Sequence, residues 1–234
     1  MKIFIKLLIS GIFLLPDFLF AQSKLDLLLQ EINYVTSKDK VIKSINIQND
    51  TNWIMLYGQN EFSATKLDSS QINLLNNFGK KNQSIFQIIQ NDSLLIILHQ
   101  NGLICKACDS VLTQKFNELK FRKNSIQYVF LSNSSYIILY NFNDFFADKQ
   151  YIGLQAKIDE INKKYLKIKQ IIVFENQWIV SYGKSGIAAS YLPPELIKGI
   201  DEIKQQQQQI EFITKYNNLW LIIYDRNKLK SIQL

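Results

Sequence analysis

Trp178-Ile179-Val180-Ser181-Tyr182-Gly183-Lys184-Ser185-Gly186 decides how this chain is read, because its first five residues recur in register at four other places. The other copies are Trp53-Ile54-Met55-Leu56-Tyr57, Leu95-Ile96-Ile97-Leu98-His99, Tyr136-Ile137-Ile138-Leu139-Tyr140 and Trp220-Leu221-Ile222-Ile223-Tyr224. Their first residues stand 42, 41, 42 and 42 positions apart, and Tyr closes four of the five. A fixed period of this size marks a repeat architecture, in which each unit relies on its neighbours to bury its apolar surface.

Working outward, a second apolar run precedes each copy: Ile45 to Ile47, Ile85 to Ile89, Ile126 to Leu131, Ile168 to Phe174 and Ile210 to Ile213. Turn formers lie between the two runs: Asn49-Asp50, Asn91-Asp92, Asn133-Ser134, Asn176 and Asn217-Asn218. Asn and Asp tolerate the positive φ of tight hairpin turns, so each pair of runs predicts a β-hairpin. Further turn signals follow the second strand, as in Tyr57-Gly58-Gln59-Asn60 and Tyr182 to Gly186.

Between hairpins the apolar period changes to that of a helix. The stripes are Ile72, Leu75 and Phe78; Leu112, Phe116 and Leu119; Leu154, Ile158 and Ile161; and Leu196, Ile200 and Ile203. Each forms one face of a helix. Asp68-Ser69 and Asp109-Ser110 supply start signals, and Pro193-Pro194 opens the last stripe. Leu25, Leu28, Leu29 and Ile32 fit an earlier helix. The glutamines from Gln205 to Gln209 read as a tolerant exit from the last one.

The expected fold is therefore an α+β repeat protein of five helix–hairpin units, roughly 22–63, 64–104, 105–146, 147–187 and 188–234. The second strands are apolar on both faces, which predicts burial on both sides. Open solenoids carry polar caps, and the first and last hairpins here are apolar. That contrast predicts a pseudo-five-fold ring or barrel of about ten strands with the helices outside, a short open stack being the alternative.

Trp53 to Asn60 and Trp178 to Gly186 resemble the W-V-x-L-Y-G-x-N-G hairpin repeats of uncharacterised secreted bacterial proteins. Leu95 and Tyr136 depart from the pattern at its Trp, and His99 at its Tyr. The resemblance spans most of the chain, implies a repeat fold, and brings no activity with it.

Lys2 and Lys6 precede an apolar stretch from Leu7 to Phe20, closed by Ala21. This reads as a secretory signal peptide, 1–21, cleaved after Ala21, with an uncleaved anchor as the alternative. The remainder, 22–234, is one repeat domain. An exported protein, periplasmic or extracellular, with no transmembrane segment after cleavage is the expectation. With 47% hydrophobic and 20% charged residues the composition is globular. The net charge of +7 comes without a dense basic run and reads as solvation, so no nucleic-acid partner is expected.

Cys105-Lys106-Ala107-Cys108 leads into a helix start, a placement that activates thiols in redox enzymes. Its flanks belong to the repeat, and only one unit of five carries it. A local disulfide is the preferred reading, and a thiol redox protein the weaker one. His99, the single histidine, completes only three zinc ligands with the cysteines, one short of a closed structural site. Neither a nucleophile elbow, a glycine-rich phosphate loop nor a calcium loop occurs, and no metal or cofactor is expected. Asp159-Glu160 and Asp201-Glu202 read as solvated helix faces.

The periodic aromatics Trp53, Tyr57, Tyr136, Tyr140, Trp178, Tyr182, Trp220 and Tyr224 are the remaining candidate ligand site, should they line a central cavity. The competing reading is that they form the core. The expected function is a non-enzymatic binding or interaction scaffold for a protein or glycan partner in the cell envelope. The alternative is glycan or small-ligand binding in an aromatic-lined cavity.

Overall fold

The computed structural model describes residues 16–48, 52–91, 94–132, 135–174 and 176–233. Most of the expected signal peptide and the turns at Asn49-Asp50 and Asn133-Ser134 lie outside the described residues, as does Asp92.

Five units follow one another. The first is α1 (Pro16–Ser37), β1 (Ile42–Gln48), β2 (Asn52–Tyr57) and β3 (Glu61–Ala64). The second is α2 (Ser69–Lys80), β4 (Ile85–Asn91), β5 (Leu94–His99) and β6 (Gly102–Lys106). The third is α3 (Ser110–Phe121), β7 (Ile126–Ser132), β8 (Ser135–Tyr140) and β9 (Asp144–Ala147). The fourth is α4 (Leu154–Lys163), β10 (Ile168–Phe174), β11 (Gln177–Tyr182) and β12 (Gly186–Ala189). The fifth is α5 (Pro194–Gln205), β13 (Ile210–Tyr216), β14 (Leu219–Tyr224) and β15 (Lys228–Gln233). The earliest helix thus starts at Pro16 and runs on through Ala21.

Each unit holds a three-stranded antiparallel sheet rather than a hairpin, with the repeated apolar strand at its centre. The third strand was hidden by its brevity: Gly186–Ala189 is four residues, half-buried and without alternation. It is needed because a fully buried strand must pair its backbone groups on both edges.

The closed ring or barrel is overturned. The strands form five separate sheets, ordered β1-β2-β3, β4-β5-β6, β7-β8-β9, β10-β11-β12 and β13-β14-β15, and among the described residues no ladder joins one sheet to another. Each sheet is open at its edges. The first strand of every sheet carries a register shift, at Ile42/Ser44, Ile85/Gln87, Ile126/Tyr128, Ile168/Gln170 and Ile210/Phe212. Such a bulge bends and twists the edge away from regular pairing with another sheet. The apolar ends of the chain, which had suggested strand closure, are covered by side-chain packing instead. Leu28, Ile32 and Val35 of α1 and Trp53 of β2 share one core cluster with Phe212, Tyr216 and Leu221 of the last unit.

That packing explains why the second strands are apolar on both faces. Ile54 and Leu56 of β2 pack with Leu75 and Phe78 of α2 and with Ile88 and Ile97 of the next sheet. Trp53 and Met55, on the opposite face, join the α1 cluster. Each sheet therefore touches its own helix on one side and the next unit's helix on the other. Burial of one such aliphatic side chain contributes about 1.5–3 kcal/mol. Asp68 caps α2 in a reciprocal box with Gln71, and Asp109 caps α3 by accepting from the Leu112 amide at 2.7 Å.

Candidate functional site

The eight periodic aromatics do not converge. Trp53 and Tyr57 belong to one core cluster, Tyr136 and Tyr140 to a second, Trp178 and Tyr182 to a third, and Trp220 and Tyr224 to a fourth. Trp53 and Trp178 are structural pins: their indole N–H groups donate to the carbonyls of Lys24 at 3.1 Å and Ile152 at 2.8 Å. Tyr57 is buried and hydrogen-bonds Ser63 at 3.3 Å. Tyr136 packs on Phe146 with ring centroids 5.9 Å apart. Tyr140, Tyr182 and Tyr224 are half-buried against the same clusters.

Trp220 is the exception. It is 1% exposed, yet among the described residues its Nε1 has no hydrogen-bond partner. It borders a cavity of about 540 Å³ lined from all five first strands. β1 contributes Ser44, Asn46 and Gln48; β4 contributes Gln87; β7 contributes Tyr128, Phe130 and Ser132. β10 adds Gln170 and Phe174, and β13 adds Thr214 and Lys215. Phe174 meets Trp220 edge-on at 5.3 Å, and the Lys215 ammonium sits 5.6 Å from the Trp220 ring. The Ser44 hydroxyl is buried without a partner as well.

A second cavity of about 420 Å³ shares Ser44, Ile45, Gln87, Tyr128 and Gln170 with the first, and adds Lys43, Lys169 and Glu211. The shared layer follows from the bulges, since Ser44, Gln87, Tyr128 and Gln170 are the first residues after the register shift. There a polar side chain replaces a strand ladder. The Gln87 carboxamide donates to the Val129 carbonyl at 2.8 Å and accepts from the Val129 amide at 2.9 Å. Gln170 does the same to Ile213, at 2.9 and 3.0 Å, and also donates to the Tyr128 hydroxyl at 3.1 Å. Burial raises the Tyr128 phenol and keeps it protonated. Lys43 and Lys169 occupy equivalent places in units one and four. They donate to carbonyls of the next unit, Ile85 at 3.2 Å and Ile210 at 2.7 Å. Burial pushes both ammonium groups down, and Glu211 partly offsets this at Lys169.

On the rim of the larger cavity, Ser135 donates to Asp148 at 2.6 Å and is hydrogen-bonded to the Tyr151 hydroxyl. Burial raises the Tyr151 phenol. Among the described residues no histidine lines this cavity.

No protein-family model matches the chain. No curated protein matches it either. The site is therefore read from its own chemistry.

Cys105 and Cys108 are paired as a disulfide between the end of β6 and the start of α3, with Cα atoms 5.9 Å apart. The Asp109 carboxylate, not a thiolate, accepts from the Leu112 amide in the first turn of α3, and a negative charge there disfavours an activated cysteine. His99 packs on Phe78 with ring centroids 4.8 Å apart and accepts from the Asn101 amide at 3.3 Å. Among the described residues no group of three or more His, Cys, Asp or Glu is placed to hold a metal ion. Among the same residues no helix is long and apolar enough to cross a membrane.

Sequence reasoning passed over two polar sets. One is the post-bulge pair Gln87 and Gln170. The other is the third residue of the turn after the central strand in units one, three, four and five. Asn60 donates to the Gln83 carbonyl and accepts from the Ile85 amide, both at 2.8 Å. Asn143 holds the Leu166 carbonyl at 2.8 Å and the Ile168 amide at 2.7 Å. Ser185 donates to the Gln208 carbonyl at 2.7 Å, and Asn227 reaches Asp39 at 3.1 Å. The Asn of the W-V-x-L-Y-G-x-N-G pattern is thus a latch between units, and its recurrence was the available signal.

Proposed function

We propose that this chain is an exported, non-enzymatic binding protein that takes a small, uncharged, hydroxyl-rich ligand, such as the end of a glycan, into the cavity between the first strands. One observation carries this reading: the cavity wall holds hydroxyl and carboxamide groups together with two buried polar atoms, Trp220 Nε1 and Ser44 Oγ, that lack partners among the described residues. A buried unpaired donor costs about 1–3 kcal/mol, which a ligand oxygen would recover. Phe130, Phe174 and Trp220 add apolar faces of the kind sugars stack on. This differs from the expected site, because Trp220 alone of the eight periodic aromatics takes part. The Lys-rich start, the apolar run to Phe20 and the resemblance to secreted repeat proteins support export.

A protein-interaction scaffold is the second reading. Its support is the exposure of Phe121, Ile152 and Tyr165, at 89%, 90% and 87%.

The test is tryptophan fluorescence titration against a panel of neutral and acidic oligosaccharides, with Trp220→Phe as the control. Binding that weakens about tenfold in the variant, as expected for one lost hydrogen bond, supports the cavity. A panel without any binder, together with capture of one defined protein through the Phe121 face, transfers the assignment to the scaffold.

A further inference from the structure

The junction between the second and third units differs from the others. The turn after the central strand has three residues in four units, as the pairs Tyr57↔Glu61, Tyr140↔Asp144, Tyr182↔Gly186 and Tyr224↔Lys228 show. In the second unit His99 pairs with Gly102, leaving two. This is the residue missing from the repeat, where the spacing falls from 42 to 41. The lost position is the glycine of the pattern: Tyr57-Gly58-Gln59-Asn60 becomes His99-Gln100-Asn101.

Without a third turn residue the second unit has no latch. The groups that Asn60 and Asn143 hold elsewhere correspond here to the Asn124 carbonyl and the Ile126 amide. Among the described residues no side chain takes the latch's place on either one. In its stead lies a cavity of about 460 Å³, bordered by Asn101, Gly102, Asn124 and Ile126. That volume is in the range of small-molecule sites. Phe86, Leu103 and Phe116 give it an apolar wall. Lys120 and Lys123 line it, and among the described residues no carboxylate does.

We propose that this gap is a second binding site, which takes an N-acylated apolar amino acid with a free carboxylate. The ligand's amide supplies the donor and acceptor that the Asn latch supplies elsewhere, facing Asn124 and Ile126. Its apolar side chain lies against Phe86, Leu103 and Phe116. Its carboxylate faces Lys120 and Lys123. The site is separate from the cavity between the first strands and does not rest on the function assigned to it.

The experiment is a titration of the ¹⁵N-labelled protein with N-acetylphenylalanine, following the amides of Lys123 and Ile126. Saturable shifts are expected at those residues with millimolar affinity or better, about 4 kcal/mol of binding free energy. 3-Phenylpropionate, which lacks the amide, and N-acetylphenylalaninamide, which lacks the carboxylate, should each bind about tenfold more weakly. One variant inserts a glycine between His99 and Gln100, restoring the three-residue turn with Asn101 as latch, and it should abolish the shifts. The exposed double variant Lys120→Glu/Lys123→Glu, whose folding is read from the same ¹⁵N spectrum, should weaken binding about tenfold, two lost charge contacts together. No shift at about 10 mM probe overturns the proposal, because water then suffices for the free backbone groups. So does binding unchanged in the folded insertion variant or in the lysine variant.

Discussion

His99 stands where four other units place Tyr, and the exchange introduces the one side chain that titrates near neutrality. Its imidazole lies against Phe78, and burial holds its pKa below the ordinary 6.5. The folded protein therefore binds fewer protons than the unfolded chain just below that pH. The His99 contribution is fully present above about pH 6.5 and is lost as pH falls toward the depressed folded value. Carboxylates with lowered pKa, such as Glu160 at about 2, act in a separate and more acidic window, below about 4.5. Urea unfolding between pH 7 and 5 should show stability declining with acid, and His99→Tyr should flatten that slope. An unchanged slope in the variant would place the titrating group elsewhere. The departure at this residue was visible in the repeat alignment. What it packs on was not, because Phe78 belongs to α2 and meets it only after folding.

The helices end alike. Asp39, Asn82, Lys123, Tyr165 and Gln207 each take a left-handed φ between 50° and 58° just after their helix. The following residue's amide then bonds back into the last helical turn, as Gln83 does to Phe78 and Leu166 to Ile161. This closing motif ordinarily uses glycine, because a side chain in that conformation costs about 1–2 kcal/mol. Tyr165 is the bulkiest of the five and is 87% exposed, so its removal forfeits no core packing. Tyr165→Gly should raise stability by about 0.5–1 kcal/mol in denaturant unfolding, the strain relieved less the added freedom of the unfolded chain. A loss of stability would show that the ring packs in solution. The apolar stripes were legible because i, i+4 and i+7 lie on one face. The α2 stripe shifts by one: Gln71 is buried with Leu75 and Phe78, while Ile72 is 38% exposed. The capping box draws Gln71 inward, a demand that apolar periodicity does not express.

The units are coupled to their neighbours by packed helices and by side-chain latches, so stability is distributed over junctions as in other repeat proteins. One latch is missing between units two and three, where among the described residues no side chain holds the backbone carbonyl of Asn124 or the backbone amide of Ile126. Hydrogen exchange should therefore open this junction first. The Ile126 amide should exchange at least about tenfold faster than Ile85 and Ile168, the difference expected for one lost hydrogen bond of about 1–1.5 kcal/mol. Equal protection at the three amides would show that the junction is held by packing alone. Added N-acetylphenylalanine should slow exchange at Ile126 if it fills the gap.

The repeat, the central strands and the five helices were readable from local order alone, since the recurring apolar runs and a period of 3.6 residues show along the chain itself. The short third strands were not, because four half-buried residues such as Gly186-Ile187-Ala188-Ala189 carry no period of their own. Tertiary structure decided how units meet. Apolar ends were compatible with a strand ladder and with side-chain packing, and the bulge at each first strand excluded the ladder. Gln87 with Val129 and Gln170 with Ile213 lie 42 and 43 residues apart, and Asn60 and Asn143 each reach 23 and 25 residues along the chain. Such polar bonds leave no local signature, since any exposed Gln or Asn looks the same until a neighbouring backbone is placed against it. The missing residue near His99 was likewise plain in the spacing, but only the position of the latch gave it a consequence.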